Sequence, residues 1–129
     1  MVFSTFAPIA ACVLGVSSLG SPAGPAAPQL PDSSLRLTMH ETTGRVTSAS
    51  LTCDPTGGTH RHRDAACATL SRVDGDLDEV EPRLQRCTMI YSPVDVSAVG
   101  TWHGKPLMFH TTYPNRCAAD SQSDSVFAL

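Results

Sequence analysis

Apolar and polar side chains alternate along Leu35-Arg36-Leu37-Thr38-Met39, which predicts a strand with one buried face. Glu41-Thr42-Thr43-Gly44 reads as a polar turn, and Val46-Thr47-Ser48-Ala49-Ser50-Leu51-Thr52-Cys53 as a second strand rich in β-branched residues, with imperfect alternation. Asp54 to His60 is a loop built on Pro and Gly. From Asp64 the period changes: Ala66, Cys67, Leu70 and Val73 recur at helical spacing, and Asp64 lies near the positive end of the helix dipole. Asp74-Gly75-Asp76 ends that helix, and Leu77 to Leu84 is a loop or short turn broken at Pro82. Alternation returns at Val94-Asp95-Val96-Ser97-Ala98, closed by Val99-Gly100. Thr101 to Pro106 is a tight connection in which Gly104 is free to take positive φ, leading into a strand from Leu107 to Tyr113. Pro114-Asn115 opens a short segment carrying Cys117, and Val126 to Leu129 is an apolar tail available for an edge strand. Strands around one clear helix predict an α+β domain, an antiparallel sheet with helical structure packed on one face.

One stretch resists this scheme. Arg86-Cys87-Thr88-Met89-Ile90-Tyr91-Ser92-Pro93 places a long flexible apolar residue, a β-branched residue and an aromatic in a row, closed by proline. In a core strand Met89 and Ile90 are ordinary, since alternation turns one of them inward.

Composition and charge narrow the function. The 129 residues suit one domain with an N-terminal extension. A net charge of −3, without a basic patch interleaved with aromatics, disfavours nucleic acid as a partner. Residues 1–31 carry no charged side chain and five of the ten prolines. The interrupted apolar run from Val2 to Leu19, followed by the small residues Ser21 to Ala27, fits a secretory signal lacking its usual basic start. Residues 1–31 are therefore expected to be a signal peptide and Pro/Ala-rich linker, residues 32–129 the working domain. The expected product is extracellular and free of the membrane once the signal is cleaved, between Ala23 and Ala27. Ile9-Ala10-Ala11-Cys12 resembles a lipoprotein box, but too little precedes Cys12 and too much apolar sequence follows it.

Setting Cys12 aside leaves Cys53, Cys67, Cys87 and Cys117, an even number in an export product, and spacing alone allows three pairings. None has the C-x-x-C spacing of a zinc or redox site, so a structural role is expected. His60-Arg61-His62 with His40, His103 and His110 invites a metal reading, yet the close pair is split by an arginine and the others fall on different elements. Asp74-Gly75-Asp76-Leu77-Asp78 begins like a calcium loop but has Glu79 where glycine is required and Gln85 at the bidentate position. Ser92 and Ser97 lack a nucleophile-elbow context. No metal, no cofactor and no catalytic residue is expected, and Trp102 is read as core or a hairpin anchor.

Several segments fall, in order and close to the spacing, as in one known family. They are Leu51-Thr52-Cys53, Gly58-Thr59-His60, Ala66-Cys67-Ala68-Thr69-Leu70, Gly75-Asp76-Leu77, Cys87-Thr88-Met89-Ile90-Tyr91-Ser92-Pro93, Gly100-Thr101-Trp102-His103-Gly104-Lys105, Asn115-Arg116-Cys117 and Ser125-Val126-Phe127-Ala128. From about Leu35 to Leu129 the chain resembles the subtilisin inhibitor-like family of Streptomyces, secreted serine protease inhibitors. The resemblance implies a homodimer, a five-stranded antiparallel sheet with two helices, and the pairings Cys53–Cys67 and Cys87–Cys117. In the chain-entropy account such bridges stabilise by about 3 and roughly 3.5–4 kcal/mol.

It also implies a reactive bond at Met89–Ile90, offered to a subtilisin-like or chymotrypsin-like serine protease by the loop Arg86, Cys87, Thr88, Tyr91, Ser92 and Pro93. The triad then belongs to the protease. Two residues depart from the family. Arg86 stands where an apolar side chain is usual, and is expected to weaken subtilisin binding or to redirect the loop toward an acidic subsite. Thr88 replaces a frequent proline, and its hydroxyl is expected to offer a compensating hydrogen bond. Arg86 as the bait residue for a trypsin-like enzyme is the lesser alternative, because the disulfide then sits across the bond. A different function on the same scaffold is an extracellular interaction module, for instance for a transglutaminase.

Overall fold

The structure, a computed structural model, describes residues 29–129 together with Gly15 and Gly20. The expected signal peptide and the Cys12 question fall almost wholly outside the described residues. No helix among the described residues is long and apolar enough to cross a membrane.

Five antiparallel strands form one sheet in the order β3-β2-β1-β4-β5, with β1 at Ser33–Glu41, β2 at Val46–Cys53, β3 at Gly57–Gly58, β4 at Val94–Trp102 and β5 at Lys105–Tyr113. Two helices, α1 (Arg63–Arg72) and α2 (Arg116–Gln122), supply the helical layer of an α+β fold. The alternation seen in the sequence sets the register. Leu35, Leu37 and Met39 of β1 and Val94, Val96 and Ala98 of β4 all point into the core, with Leu37 paired to Ala98 and Met39 to Val96. Ala66, Cys67 and Leu70 of α1 and Ala119 of α2 close over that face.

α1 ends where predicted. Asp74 and Gly75 both take positive φ, and the amide of Gly75 donates to the carbonyl of Leu70 at 2.9 Å. A Cβ at Gly75 would lie 2.6 Å from the ring of Trp102, so glycine serves the packing as well as the turn. Trp102 is buried and donates from Nε1 to Asp74 Oδ1 at 3.0 Å, while Asp76 accepts from the amide of Asp78. The acidic run that opened like a calcium loop thus terminates a helix and caps a 3-10 turn at Leu77–Glu79.

Three elements differ from the sequence reading. The connection between β4 and β5 is tighter than Thr101 to Pro106: both strands run on, and His103-Gly104 alone makes the turn, with φ of 46° and 78°. The fifth strand is not the C-terminal tail but β3, inside the stretch read as a loop. Hydrogen bonds between Ser50 and Thr59 pin it to β2. The tail instead turns into the core, with Val126 and Phe127 fully buried and Phe127 stacked on Phe109 at 6.0 Å. Burial of Val126, Phe127 and Leu129 outweighs edge pairing there.

Candidate functional site

Between the 3-10 turn and β4, residues 80–93 form no regular structure. Among the described residues, this segment carries half of the large apolar side chains that the fold leaves in water: Leu84, Met89, Ile90 and Tyr91. Met89 is 98% exposed, Tyr91 78% and Ile90 66%, so the core-strand reading of Met89 and Ile90 fails. Arg86, Thr88 and Ser92 are exposed too, and Cys87 and Pro93 are half-buried. Exposed apolar side chains in a row mark a contact surface rather than a folding element.

The backbone beneath them is tied down on both sides of Met89, and the ties converge on Pro114 to Cys117. On the N-terminal side, Cys87 is bonded to Cys117, with Cα atoms 5.6 Å apart. Asn115 Nδ2 donates to the carbonyl of Thr88 at 3.3 Å and to that of Ile90 at 2.9 Å, bracketing Met89. On the C-terminal side, the amide of Ser92 donates to the carbonyl of Pro114 at 2.8 Å. The same Asn115 uses Oδ1 to accept from the amide of Ala118 at 2.8 Å, which caps α2. One side chain thus starts the helix and holds the loop. The cleft between loop and helix, about 470 Å³, is lined by Cys87, Ile90, Pro114, Asn115 and Ala118 among others.

A second anchor sits upstream. The amide of Arg83 donates to the carbonyl of Ser121 at 2.7 Å. Its guanidinium donates to Asp120 Oδ1 at 2.8 Å and to Ser125 Oγ at 2.6 Å, lies 3.6 Å from Asp124, and also reaches Gln85. Arg116, beside Cys117, binds Glu41 at the end of β1 at 2.7 Å and the carbonyl of Leu129. The two arginines fasten α2 to the loop, to β1 and to the tail.

The predicted loop residues therefore come together, with one correction. The hydroxyl of Thr88 has no hydrogen-bond partner among the described residues; its carbonyl, held by Asn115, does that work. Arg86 has no ion-pair partner among them either. Sequence reasoning missed Asn115, Pro114 and Arg83 as supports. For Asn115 the signal was present, since an Asn just before a short apolar-small segment is a helix-start signature. Its contact with a loop 25 residues away has no local signature.

The other bridge, Cys53–Cys67, joins β2 to α1 with Cα atoms 5.7 Å apart and lies inside the core. His60, in the connection from β3 to α1, is buried, accepts at Nδ1 from the amide of His62 at 2.9 Å and donates from Nε2 to the carbonyl of Val126 at 2.9 Å. Burial pulls its pKa down from the ordinary 6.5, and a fully used neutral imidazole is a structural tie, not a ligand. His103 Nε2 lies 3.3 Å from Asp54 Oδ2, with Asp32 alongside, in an exposed cluster at the end of the sheet opposite the loop.

The profile of the subtilisin inhibitor-like family matches residues 31–115. A putative serine protease inhibitor of Streptomyces avermitilis is 39% identical over 82 residues, 64% of this chain, which spans 56% of that protein's length. A subtilase-type protease inhibitor of Streptomyces coelicolor is 37% identical over 123 residues, covering 90% of this chain and 85% of its own. Among solved structures, Streptomyces caespitosus sermetstatin, crystallised in complex with Bacillus licheniformis subtilisin, superposes with a TM-score of 0.57 at 27% identity, over 74% of this chain and 96% of the other. The fold, the two disulfides and the sequence together place this chain in the subtilisin inhibitor-like family.

Proposed function

We propose that the protein is a secreted inhibitor of subtilisin-like serine proteases that acts by presenting the Met89–Ile90 bond. The observation that carries this reading is the contrast between exposed side chains and a fixed backbone. A protease binds an extended segment through main-chain hydrogen bonds, like an added strand, and fills its pockets with the side chains. Met89, unbranched and fully available, suits a broad apolar pocket. A loop already held in one shape avoids most of the ordering cost of binding, so a standard-sized interface can be tight.

The same ties account for slow turnover. When the protease serine attacks the carbonyl of Met89, the peptide bond to the Ile90 nitrogen breaks and an acyl-enzyme forms. The new amine stays beside the ester, because Ile90 and Ser92 remain held by Asn115 and Pro114. The acyl side is held through Cys87 and Thr88. Both cut ends hang from Pro114 to Cys117, so the amine reattacks before water does. The protease supplies all the catalytic groups, and this chain is not an enzyme. Secretion agrees with the two disulfides, and a homodimer completes the reading.

The test is a titration of the protein, disulfides formed, against subtilisin and trypsin, beside Met89→Lys. Stoichiometric loss of subtilisin activity, with the variant shifted at least tenfold toward trypsin, establishes both the bond and its register. Inhibition of trypsin alone by the unaltered protein would move the reactive residue to Arg86 or to another loop. Binding of an extracellular enzyme that survives replacement of Met89 would favour the interaction-module reading.

A further inference from the structure

We propose that Met89 is an oxidation site and that its conversion to the sulfoxide switches the inhibitor off while leaving the fold intact; this rests on Met89 being the residue that enters the protease pocket. Among the described residues three methionines stand in different surroundings. Met39 has no exposed surface and belongs to the core, Met89 is 98% exposed on the loop, and Met108 is 84% exposed on the outer face of β5. The four described cysteines are consumed in disulfides and Trp102 is buried. The exposed thioethers are therefore the most accessible two-electron reductants among the described residues.

The reaction needs a peroxide. The sulfur of Met89 attacks one peroxide oxygen, the O–O bond breaks, the sulfur is oxidised by two electrons, and hydrogen peroxide leaves as water. The side chain keeps its length but gains a strongly polar S=O group. In solvent the change costs the fold nothing, since Met89 contributes no core contact. In an apolar pocket the same group must be desolvated without a donor to meet it, which is unfavourable. The backbone ties through Asn115 and Cys87 do not involve the thioether, so the loop keeps its shape. Protease control would thereby lapse where oxidant accumulates, and return on reduction.

The experiment treats the full chain, disulfides formed, with graded hydrogen peroxide. Peptide mass spectrometry follows each methionine, a subtilisin titration follows inhibition, and thermal unfolding follows the fold. Met108→Leu is run in parallel. The expected result is oxidation of Met89 and Met108 ahead of Met39, with inhibition at least tenfold weaker in step with Met89 sulfoxide. The variant should give the same loss curve, the thermal midpoint should hold, and methionine sulfoxide reductases should restore inhibition. Full inhibition by protein oxidised at Met89 would overturn the switch alone. So would a loss that persists after the Met89 thioether has been regenerated. Failure of the untreated protein to inhibit would overturn the reactive-bond reading and the switch with it.

Discussion

Asn115 has two functions on two atoms, and a single substitution separates them. Asn115→Asp keeps an oxygen to accept from Ala118 and places a negative charge at a helix start, which is favourable. It removes the amide that donates to Thr88 and Ile90, and sets a carboxylate against their carbonyls. The variant should unfold at or near the parent temperature yet be cleaved by subtilisin at least tenfold faster. Asn115→Ala should do both kinds of damage, losing the cap as well, about 1 kcal/mol of stability. Chromatography of the cut chain beside a thermal melt distinguishes the two. At this scale the sequence was readable where chemistry is local. Gly104 was legible from its turn, whereas Met89 and Ile90 were singled out only through the family resemblance, since their own pattern fits a core strand equally well. Asn115, Arg83 and His60 were opaque as functional contacts, because each gains its role from a partner 25 to 66 residues away.

At the scale of elements, α2 has only seven residues, too few to be stable alone, and is held by what it holds. It carries Cys117, Asp120 and Ser121, each bound to the segment from Arg83 to Cys87, so loop and helix form one unit. The two disulfides should therefore separate by function. Removing Cys53–Cys67, by paired substitution to Ala, is expected to cost about 3 kcal/mol in urea unfolding while the surviving fold still inhibits. Removing Cys87–Cys117 is expected to cost roughly 3.5–4 kcal/mol and to convert the loop from inhibitor to substrate. Inhibition that survives this second loss would show that Asn115 and Arg83 suffice. β1 and β4 were legible because the central strands of a one-faced sheet alternate cleanly. β3 was not, because two glycines carry no pattern and its pairing depends on Ser50 and Thr59. The tail was misread because a short apolar run has the same sequence signature whether it pairs at an edge or plugs a core.

For the whole molecule, His60 makes stability depend on pH. Its imidazole is buried and neutral, with both nitrogens engaged, and burial holds its pKa below 6.5. The unfolded chain therefore binds a proton more readily than the folded one. The contribution is fully present above pH 6.5 and is lost as pH falls through the lowered folded value. The urea midpoint should drop between pH 7.5 and pH 5.5, and His60→Gln should flatten that drop while lowering stability at the higher pH. An equal pH response in the variant would assign the effect to other groups.

The burial of Val126 and Phe127, with His60 and Arg116 fastened to the tail carbonyls, also sets when the protein comes into existence as a working object. The core cannot close until a ribosome has added the residues that plug it, and the reactive loop cannot stiffen before α2 has a core to rest on. A chain still lacking those residues would thus be soft, with its loop unfixed. A protease that meets it at that stage finds only a peptide, and one that meets it later finds the finished inhibitor.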